Sequence, residues 1–299
     1  MILNGAARAG SAEAPENEER IRELFAAHGI EVRIRHPDPK IDLAALAAEV
    51  ARSADETTII AAGGDGTVSA VAAALADTGK TLGVLPLGTL NHFAKDLRIP
   101  VDLAGAVETI VRGRVAEIDA AEVNGRVFIN NSSLGIYPHL VANRRAQPAW
   151  LGRRTWRAFF WAVLQTLQRF PFLRLRVTAA GQRLARHTAF LFVGNNQYEL
   201  AGFKIGGRSC LNAGQLGLYL THRTGRFGFF RLALRALLGR LNQADDFESF
   251  CVEEATIDAR RARLLVAIDG EVEWMMTPLQ YRVRPRALRV LVPEIEEPA

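Results

Sequence analysis

Five consecutive residues, Gly63-Gly64-Asp65-Gly66-Thr67, follow the apolar run Ile59-Ile60-Ala61-Ala62 and precede a stretch of helical periodicity. Glycines let a backbone approach a bulky anion without Cβ collisions and permit positive φ. A helix beginning near Val68 would turn unpaired N–H groups and its positive dipole end towards a phosphate. Thr67 can cap that helix or offer its hydroxyl to a phosphate oxygen. Asp65 would repel a bare phosphate, so an acid there points to a magnesium ion or a proton acceptor. The plainer alternative is a tight turn in which Asp65 caps the helix. A similar junction follows: Leu82-Gly83-Val84-Leu85-Pro86-Leu87 reads as a strand, Gly88-Thr89 as a turn, and Leu90 onward as a helix carrying Asn91, His92 and Lys95. In a parallel sheet both junctions lie at carboxyl ends of strands, where open α/β sheets bind ligands. Two helix starts converging on one crevice suit a polyphosphate. No Gly-Lys-Ser or Gly-Lys-Thr follows either glycine run, and neither is Gly-x-Gly-x-x-Gly, which argues against a Walker loop and a dinucleotide dehydrogenase.

The elements that must hold these loops change character along the chain. Ile30 to Ile34, Thr57 to Ala62 and Thr81 to Leu85 read as buried strands, and Glu16 to Ala27, Ile41 to Arg52 and Val68 to Ala76 as helices. That alternation predicts a parallel sheet covered by helices. From Val115 the pattern is one of hairpins: Val115 to Val123 with Arg126 to Asn131 around Asn124-Gly125, then Leu173 to Ala179 with Leu184 to Val193 around Ala180-Gly181. Further strands are expected at Leu216 to Leu220, Phe250 to Ile257, Leu264 to Ile268, Gln280 to Val283 and Leu288 to Val292, with helices at about Leu151 to Gln168 and Phe229 to Leu241. The expectation is an α/β nucleotide-binding domain over 1–120 and an antiparallel β-sandwich over 121–299, with room for the last strand to return to the first domain.

The chain has 299 residues, 49% hydrophobic and 23% charged, a globular composition that excludes a disordered or fibrous protein. Its two cysteines, Cys210 and Cys251, cannot build a disulfide framework or a four-ligand zinc site. No secretory signal opens the sequence, and the apolar stretches Trp156 to Leu173 and Phe227 to Leu238 are broken by arginines, short of the roughly 20 apolar residues of a span. A soluble cytoplasmic protein is expected. Lysine and arginine total 37 against 32 acids, and only Lys40, Lys80, Lys95 and Lys204 are lysines. Arg144, Arg145, Arg153, Arg154 and Arg157 interleave with Trp150, Trp156, Phe159, Phe160 and Trp161. Such a segment suits an anionic membrane surface or nucleic acid, or else a solvated arginine face over an aromatic core stripe.

Taken together, Gly63-Gly64-Asp65-Gly66-Thr67 and, about twenty residues on, Pro86-Leu87-Gly88-Thr89-Leu90-Asn91-His92-Phe93-Ala94 resemble the diacylglycerol kinase catalytic domain family, which includes bacterial soluble lipid kinases and the sphingosine and ceramide kinases. Asn4 stands at the family's first-strand motif and Asp269-Gly270-Glu271 at its late Asp-Gly-Glu. The resemblance implies an amino-terminal α/β domain like that of NAD kinases and 6-phosphofructokinases, then a β-sandwich, with ATP and a lipid meeting in the cleft. It gives Asn4, Gly63, Gly64, Asp65, Gly66, Thr67, Val68 and Ser69 to the ATP phosphates, with Asp65 meeting the nucleotide's magnesium. Gly88, Thr89 and Asn91 would line the other side of the nucleotide. Glu271 would be the general base that takes the proton from the lipid hydroxyl; without the family, Asp269-Gly270 is only a hairpin turn.

Three positions depart from the family pattern. Gly5 replaces a proline of the first motif and Gly10 comes late; His92 replaces a more usual aspartate; and Asn212-Ala213-Gly214 lacks the carboxylate of an Asp-Gly turn that holds a structural magnesium in many members. Ser132 to Tyr137 and Tyr198 to Ile205 could line an acyl cleft or simply belong to the sandwich core. The expected function is transfer of the γ-phosphoryl of ATP to a diacylglycerol-like lipid hydroxyl, at the inner membrane surface, with no nucleic acid partner and a homodimer left open. A soluble-metabolite kinase and a nucleotide- or lipid-binding regulator without turnover are the rivals.

Overall fold

The computed structural model describes residues 1–4, 13–37, 42–135, 138, 173–198, 200–201, 204–205, 207–208, 210–221 and 247–294. The first part alternates β1 (Ile2–Leu3), β2 (Thr58–Gly63) and β3 (Thr81–Pro86) with α1 (Glu13–Ala26), α2 (Leu43–Arg52), α3 (Asp65–Leu75), α4 (His92–Asp96) and α5 (Leu103–Arg112). Strands follow: β4 (Arg114–Val123), β5 (Arg126–Phe128), β6 (Asn131–Gly135), β7 (Leu173–Ala179), β8 (Gln182–Thr188) and β9 (Phe190–Asn195). After the short pair β10 (Leu200–Ala201) and β11 (Lys204–Ile205) come β12 (Leu216–Thr221), β13 (Phe247–Val252), β14 (Glu254–Ala259), β15 (Arg263–Ile268), β16 (Glu271–Met276) and β17 (Leu279–Val292).

β1, β2 and β3 pair in parallel, as the alternation predicts. β2 and β3 are buried almost throughout, so their apolar runs are continuous rather than alternating. α3 packs on both strands and α5 on β3. Asp102 caps α5 by accepting Gly105 N–H at 2.8 Å. Ile59, Leu82 and Leu85 meet Phe25, Leu75 and Phe93 in one core. β17 joins the halves: Arg289 and Val290 pair in parallel with β3, while most of the strand pairs antiparallel with β4 and its start with β14. A nine-stranded mixed sheet results, and β4 carries the chain through residue 120 without a break. The second sheet, β13-β12-β9-β6-β15-β16, is antiparallel. Leu191, Leu218 and Val266 from it share a second core with Val177, Ile257 and Tyr281 from the first.

Both expected hairpin turns form, with Asn124 and Gly125 at φ 48° and 83° and Ala180 and Gly181 at 47° and 74°. Other expectations are corrected. Ile30 to Ile34 forms no strand; only Arg35 bridges Ile2, because the segment runs along the open edge beside β1 with Ile30 40% exposed. Arg126 to Asn131 is not one strand: the N–H groups of Ile129, Asn130 and Asn131 turn to the Asp269 carboxylate, and the chain crosses from one sheet to the other. Phe250 to Ile257 likewise divides at Glu253 between β13 and β14. Leu184 to Val193 divides at Ala189 between β8 and β9. Gln280 to Val283 and Leu288 to Val292 are instead one strand, bulged between Arg284 and Leu288 where Arg286 takes φ 53°. The helices expected at 151–168 and 229–241 and the segment 144–157 lie outside the described residues.

Candidate functional site

The glycine run ends β2 and starts α3 three residues earlier than expected, at Asp65. Gly64 is the N-cap and supplies no side-chain bond; Thr67 N–H turns back to Gly64 O at 2.9 Å, so among the described residues the Asp65 and Gly66 amides keep their donors open. Asp65 therefore does not cap its own helix. Its carboxylate reaches across to the second junction, where Oδ2 accepts Asn91 N–H at 3.0 Å and Oδ1 accepts His92 N–H at 2.8 Å. It caps α4 instead, the helix that starts at the position of the family's missing aspartate.

The two loops touch. A Cβ on Gly88 would lie 2.6 Å from Gly64 Cα and 2.7 Å from Asn91 Oδ1, so only glycine permits this approach. Asn91 sits in the left-handed region at φ 51° and is buried. Its Oδ1 accepts Gly88 N–H at 3.0 Å and its Nδ2 donates to Gly88 O at 2.9 Å, which folds the second loop on itself. Thr67 is buried too; its Oγ1 accepts from Asn4 Nδ2 at 3.1 Å and lies where a Gly63 side chain would be. Asn4, Thr67 and Asn91 thus shape the loops from within. Val68 is buried, while Gly66 and Thr89 are exposed.

From the other side comes the turn between β15 and β16, with Asp269 and Gly270 at φ 46° and 86°. Asp269 is half-buried as a residue because its backbone forms the turn, but its carboxylate is desolvated. Oδ2 accepts from Ser69 Oγ at 2.8 Å and Ile129 N at 2.9 Å, and Oδ1 from Asn130 N and Asn131 N, each at 2.9 Å. Burial pushes this carboxyl up and the four donors pull it back. A carboxylate has about four lone-pair sites, and here all are taken. Ser69, on the second turn of α3, is thereby tied to the sandwich.

Glu271 is exposed and pairs with Arg126, Oε2 to Nη2 at 3.1 Å. Both line a groove of about 210 Å³ beside Gly66, Ser69 and Asp269. A larger cavity of about 380 Å³ opens on the other side of Asp269, lined by Asp65, His92, Lys95, Phe190, Phe192 and Tyr198 among others. The structure therefore brings the glycine loops, Asp65, Ser69 and Glu271 around one cleft, but puts Asp65 and Glu271 on adjoining openings.

The floor of the larger cavity holds residues that sequence reasoning missed. Arg208 has no exposed side-chain surface and pairs with Asp96 of α4 at 2.8 Å. It also donates to Ile129 O at 2.6 Å, Asn195 O at 3.1 Å and Asn130 Oδ1 at 3.1 Å, and lies over the Tyr198 ring at 5.3 Å. Burial pushes the Tyr198 phenol up to about 12. Among the expected lipid-side residues, Tyr198 thus lines the cavity, whereas Ser132 turns to the inter-sheet core and bonds Tyr281 at 3.0 Å. Ile136 and Tyr137 lie outside the described residues.

At the turn expected to lack a metal, Gly214 N–H donates to the buried Asp119 Oδ2 at 2.7 Å and Arg286 N–H to its Oδ1 at 2.9 Å. Backbone amides hold the carboxylate there, and Ala213 adds no second acid. Among the described residues no three acidic, histidine or cysteine side chains gather as a metal cage. Magnesium fits this cleft only in its usual manner, bound by one or two carboxylates and by substrate phosphates.

Residues 1–123 match the diacylglycerol kinase catalytic domain, and residues 139–292 match the YegS C-terminal NAD kinase beta sandwich-like domain. A probable lipid kinase YegS-like of Yersinia pestis (strain Pestoides F) is 37% identical over 139 residues, 45% of this chain and 45% of the relative. A relative of the same name from Yersinia pseudotuberculosis (serotype O:1b, strain IP 31758) matches to the same extent. The matched region thus spans under half the length of these curated relatives. The crystal structure of a diacylglycerol kinase from Bacillus anthracis str. Sterne superposes with a TM-score of 0.70 over 97% of this chain and 96% of that one at 23% identity, a likeness of fold. With both halves of the chain matched in order, and with paired glycine loops facing an Asp-Gly-Glu turn, this protein belongs to the diacylglycerol kinase catalytic domain family and carries its YegS-type sandwich.

Proposed function

We propose that this protein is a lipid kinase that moves the γ-phosphoryl group of ATP to a diacylglycerol-like hydroxyl with magnesium, working at the inner surface of the cytoplasmic membrane. The observation that carries the reading is the Asp65 bridge. One carboxylate locks the starts of α3 and α4 together at the ends of β2 and β3, leaving the Asp65 and Gly66 amides of α3 without a partner among the described residues, beside a cleft shared with the sandwich. In this reading residues 1–120 hold the nucleotide and residues 121–299 present the lipid.

The backbone of Gly63, Gly64 and Gly66 at the start of α3 would orient the phosphates, with Val68 and Ser69 following in its first two turns and Gly88, Thr89 and Asn91 fixing the opposite wall. Magnesium brought by the nucleotide would neutralise phosphate charge beside Asp65. Glu271 would take the proton from the lipid hydroxyl. Asp269 is the poorer candidate for that step, because all four of its acceptor sites are engaged and a new proton would cost it a donor. One observation favours a second assignment: Asp65 lines the larger, aromatic-walled cavity, whereas Glu271 sits with Arg126 beside the start of α3. Then Asp65 would receive the proton and Glu271 would stand on the magnesium side.

Incubation with γ-labelled ATP and a total bacterial lipid extract tests the function. Label entering a lipid supports the kinase, whereas ATP binding without any labelled lipid would leave the regulatory reading standing. The Glu271→Gln variant separates the two assignments: a fall in kcat at constant KM for ATP supports Glu271 as base, and a raised magnesium requirement supports the second.

A further inference from the structure

Among the described residues β16 is the outer edge of the six-stranded sheet, with β15 as its one neighbour. Its side chains alternate. Glu271 and Glu273 face Arg126, and Met275 packs on the inter-sheet core. Val272, Trp274 and Met276 face outward. Trp274 is 57% exposed and Met276 64%, large apolar side chains on a strand edge that proteins normally blunt with charge. Arg263 lies opposite Met276 in register, and its guanidinium stands 5.0 Å from the Trp274 ring centroid. Arg260 and Arg261 are exposed in the turn that leads into β15. None of these three arginines forms an ion pair among the described residues.

We propose that this edge docks on an anionic lipid bilayer, with Trp274 and Met276 at the headgroup boundary and Arg260, Arg261 and Arg263 against lipid phosphates. Tryptophan is suited to that boundary and cations are drawn to the negative surface. Charge decides against a second copy of the chain: pairing two such edges would bring together two sets of unpaired arginines. Charge also decides against a neutral apolar partner, which would leave the cations unanswered. The position serves the cleft, because Glu271 opens the same strand and Trp274 follows at about 10 Å, at roughly 3.3 Å per residue. The lipid-kinase reading gives the docking its purpose, but the docking is measured without turnover.

The full chain is sedimented with phosphatidylcholine vesicles and with vesicles containing phosphatidylglycerol, at low and high salt. Two double variants accompany it, Arg260→Glu with Arg261→Glu, and Trp274→Ala with Met276→Ser. Partitioning onto anionic vesicles is expected to fall by about thirty-fold or more in the arginine variant, at roughly five-fold per cation lost, and to weaken as salt rises. It should also fall about ten-fold or more in the apolar variant, as buried apolar area is lost. Solution oligomeric state and phosphorylation of detergent-dispersed lipid should match the parent. Parental partitioning in both variants, equal binding of the parent to neutral and anionic vesicles, or an altered oligomeric state in the apolar variant would each overturn the proposal. If the variants lose vesicle binding while the parent phosphorylates no lipid at all, the docking stands and the kinase reading falls.

Discussion

Replacing Asp65 by asparagine keeps the volume of the side chain but removes one of two acceptors. The carboxylate now receives Asn91 N–H on one oxygen and His92 N–H on the other, at 3.0 and 2.8 Å. An amide has a single oxygen, so one of those N–H groups would face an NH₂ donor. Losing a hydrogen bond to a charged acceptor costs about 1.5–3 kcal/mol, and the opposed donors add to it. His92 is exposed and water can rescue part of the loss, so about 2–3 kcal/mol is expected. At roughly 2–4 °C per kcal/mol for a domain of this class, Asp65→Asn should lower Tm by about 4–12 °C. Thermal unfolding followed by circular dichroism reads the global effect, and hydrogen exchange at the Asn91 and His92 amides reads the local one. ATP turnover should fall as well, partly because the second loop loses its tie to the first. A Tm within about 1 °C of the parent, with both amides still protected, would show that Asp65 is not the link between the loops and would return its whole role to chemistry.

Glu271→Gln keeps shape and loses basicity, so kcat should drop by roughly 10²–10⁴-fold while KM for ATP stays near the parent value in steady-state assays. Arg208→Met leaves the Asp96 carboxylate without its cation and takes one donor from each of the Ile129 and Asn195 carbonyls, and loss of such a buried partner costs about 3–5 kcal/mol in chemical denaturation; Arg208→Lys should recover only part, since one ammonium cannot reproduce the fork. Tyr198 and Tyr219 are pushed up to about 12 and Tyr281 is raised as well, each chiefly by burial. Their contribution to stability is complete below the ordinary value near 10 and is lost as pH rises towards 12, so phenolate absorbance from these three side chains should stay low until the fold opens cooperatively.

The parts of the site that could be read from sequence are those whose cause is local. A glycine run after a buried strand, an Asn-Gly between alternating segments and a periodic apolar stripe each act within a few residues of themselves, so the loops at 63–67 and 88–91 and the hairpin turns at 124–125 and 180–181 were legible. α5 carried equally plain signals, Asp102 before it and Gly113 after it, yet drew no expectation. What could not be read is where a polar side chain finds its partner. Arg208 is one arginine in a chain rich in them, and nothing near it distinguishes the buried cation that meets Asp96 from a solvated one. Asp119 sits in a strand beside Glu117 and Glu122, and its amide partners, Gly214 and Arg286, are far along the chain.

The same distinction explains how the acids of the cleft divide their work. Asp269 is saturated by three amides and the Ser69 hydroxyl, and the buried Asp119 is held by amides from distant segments; such a group fixes the path of the chain, and Asp269 breaks β5 from β6 and holds α3. A carboxylate used in this way is poorly suited to proton transfer, because each new bond to a substrate displaces one that the fold needs. Glu271 has the opposite character, exposed and, among the described residues, held only by a surface arginine whose pull is screened by solvent. Asp65 stands between them, with one amide on each oxygen and lone pairs to spare. Asp269 thereby provides the rigid turn from which Glu271 projects, while the two less encumbered acids face the openings where phosphate and hydroxyl would meet. In the proposed kinase the Asp-Gly-Glu turn would work as a unit, with the saturated Asp269 fixing the turn and Glu271 left free to meet substrate or metal.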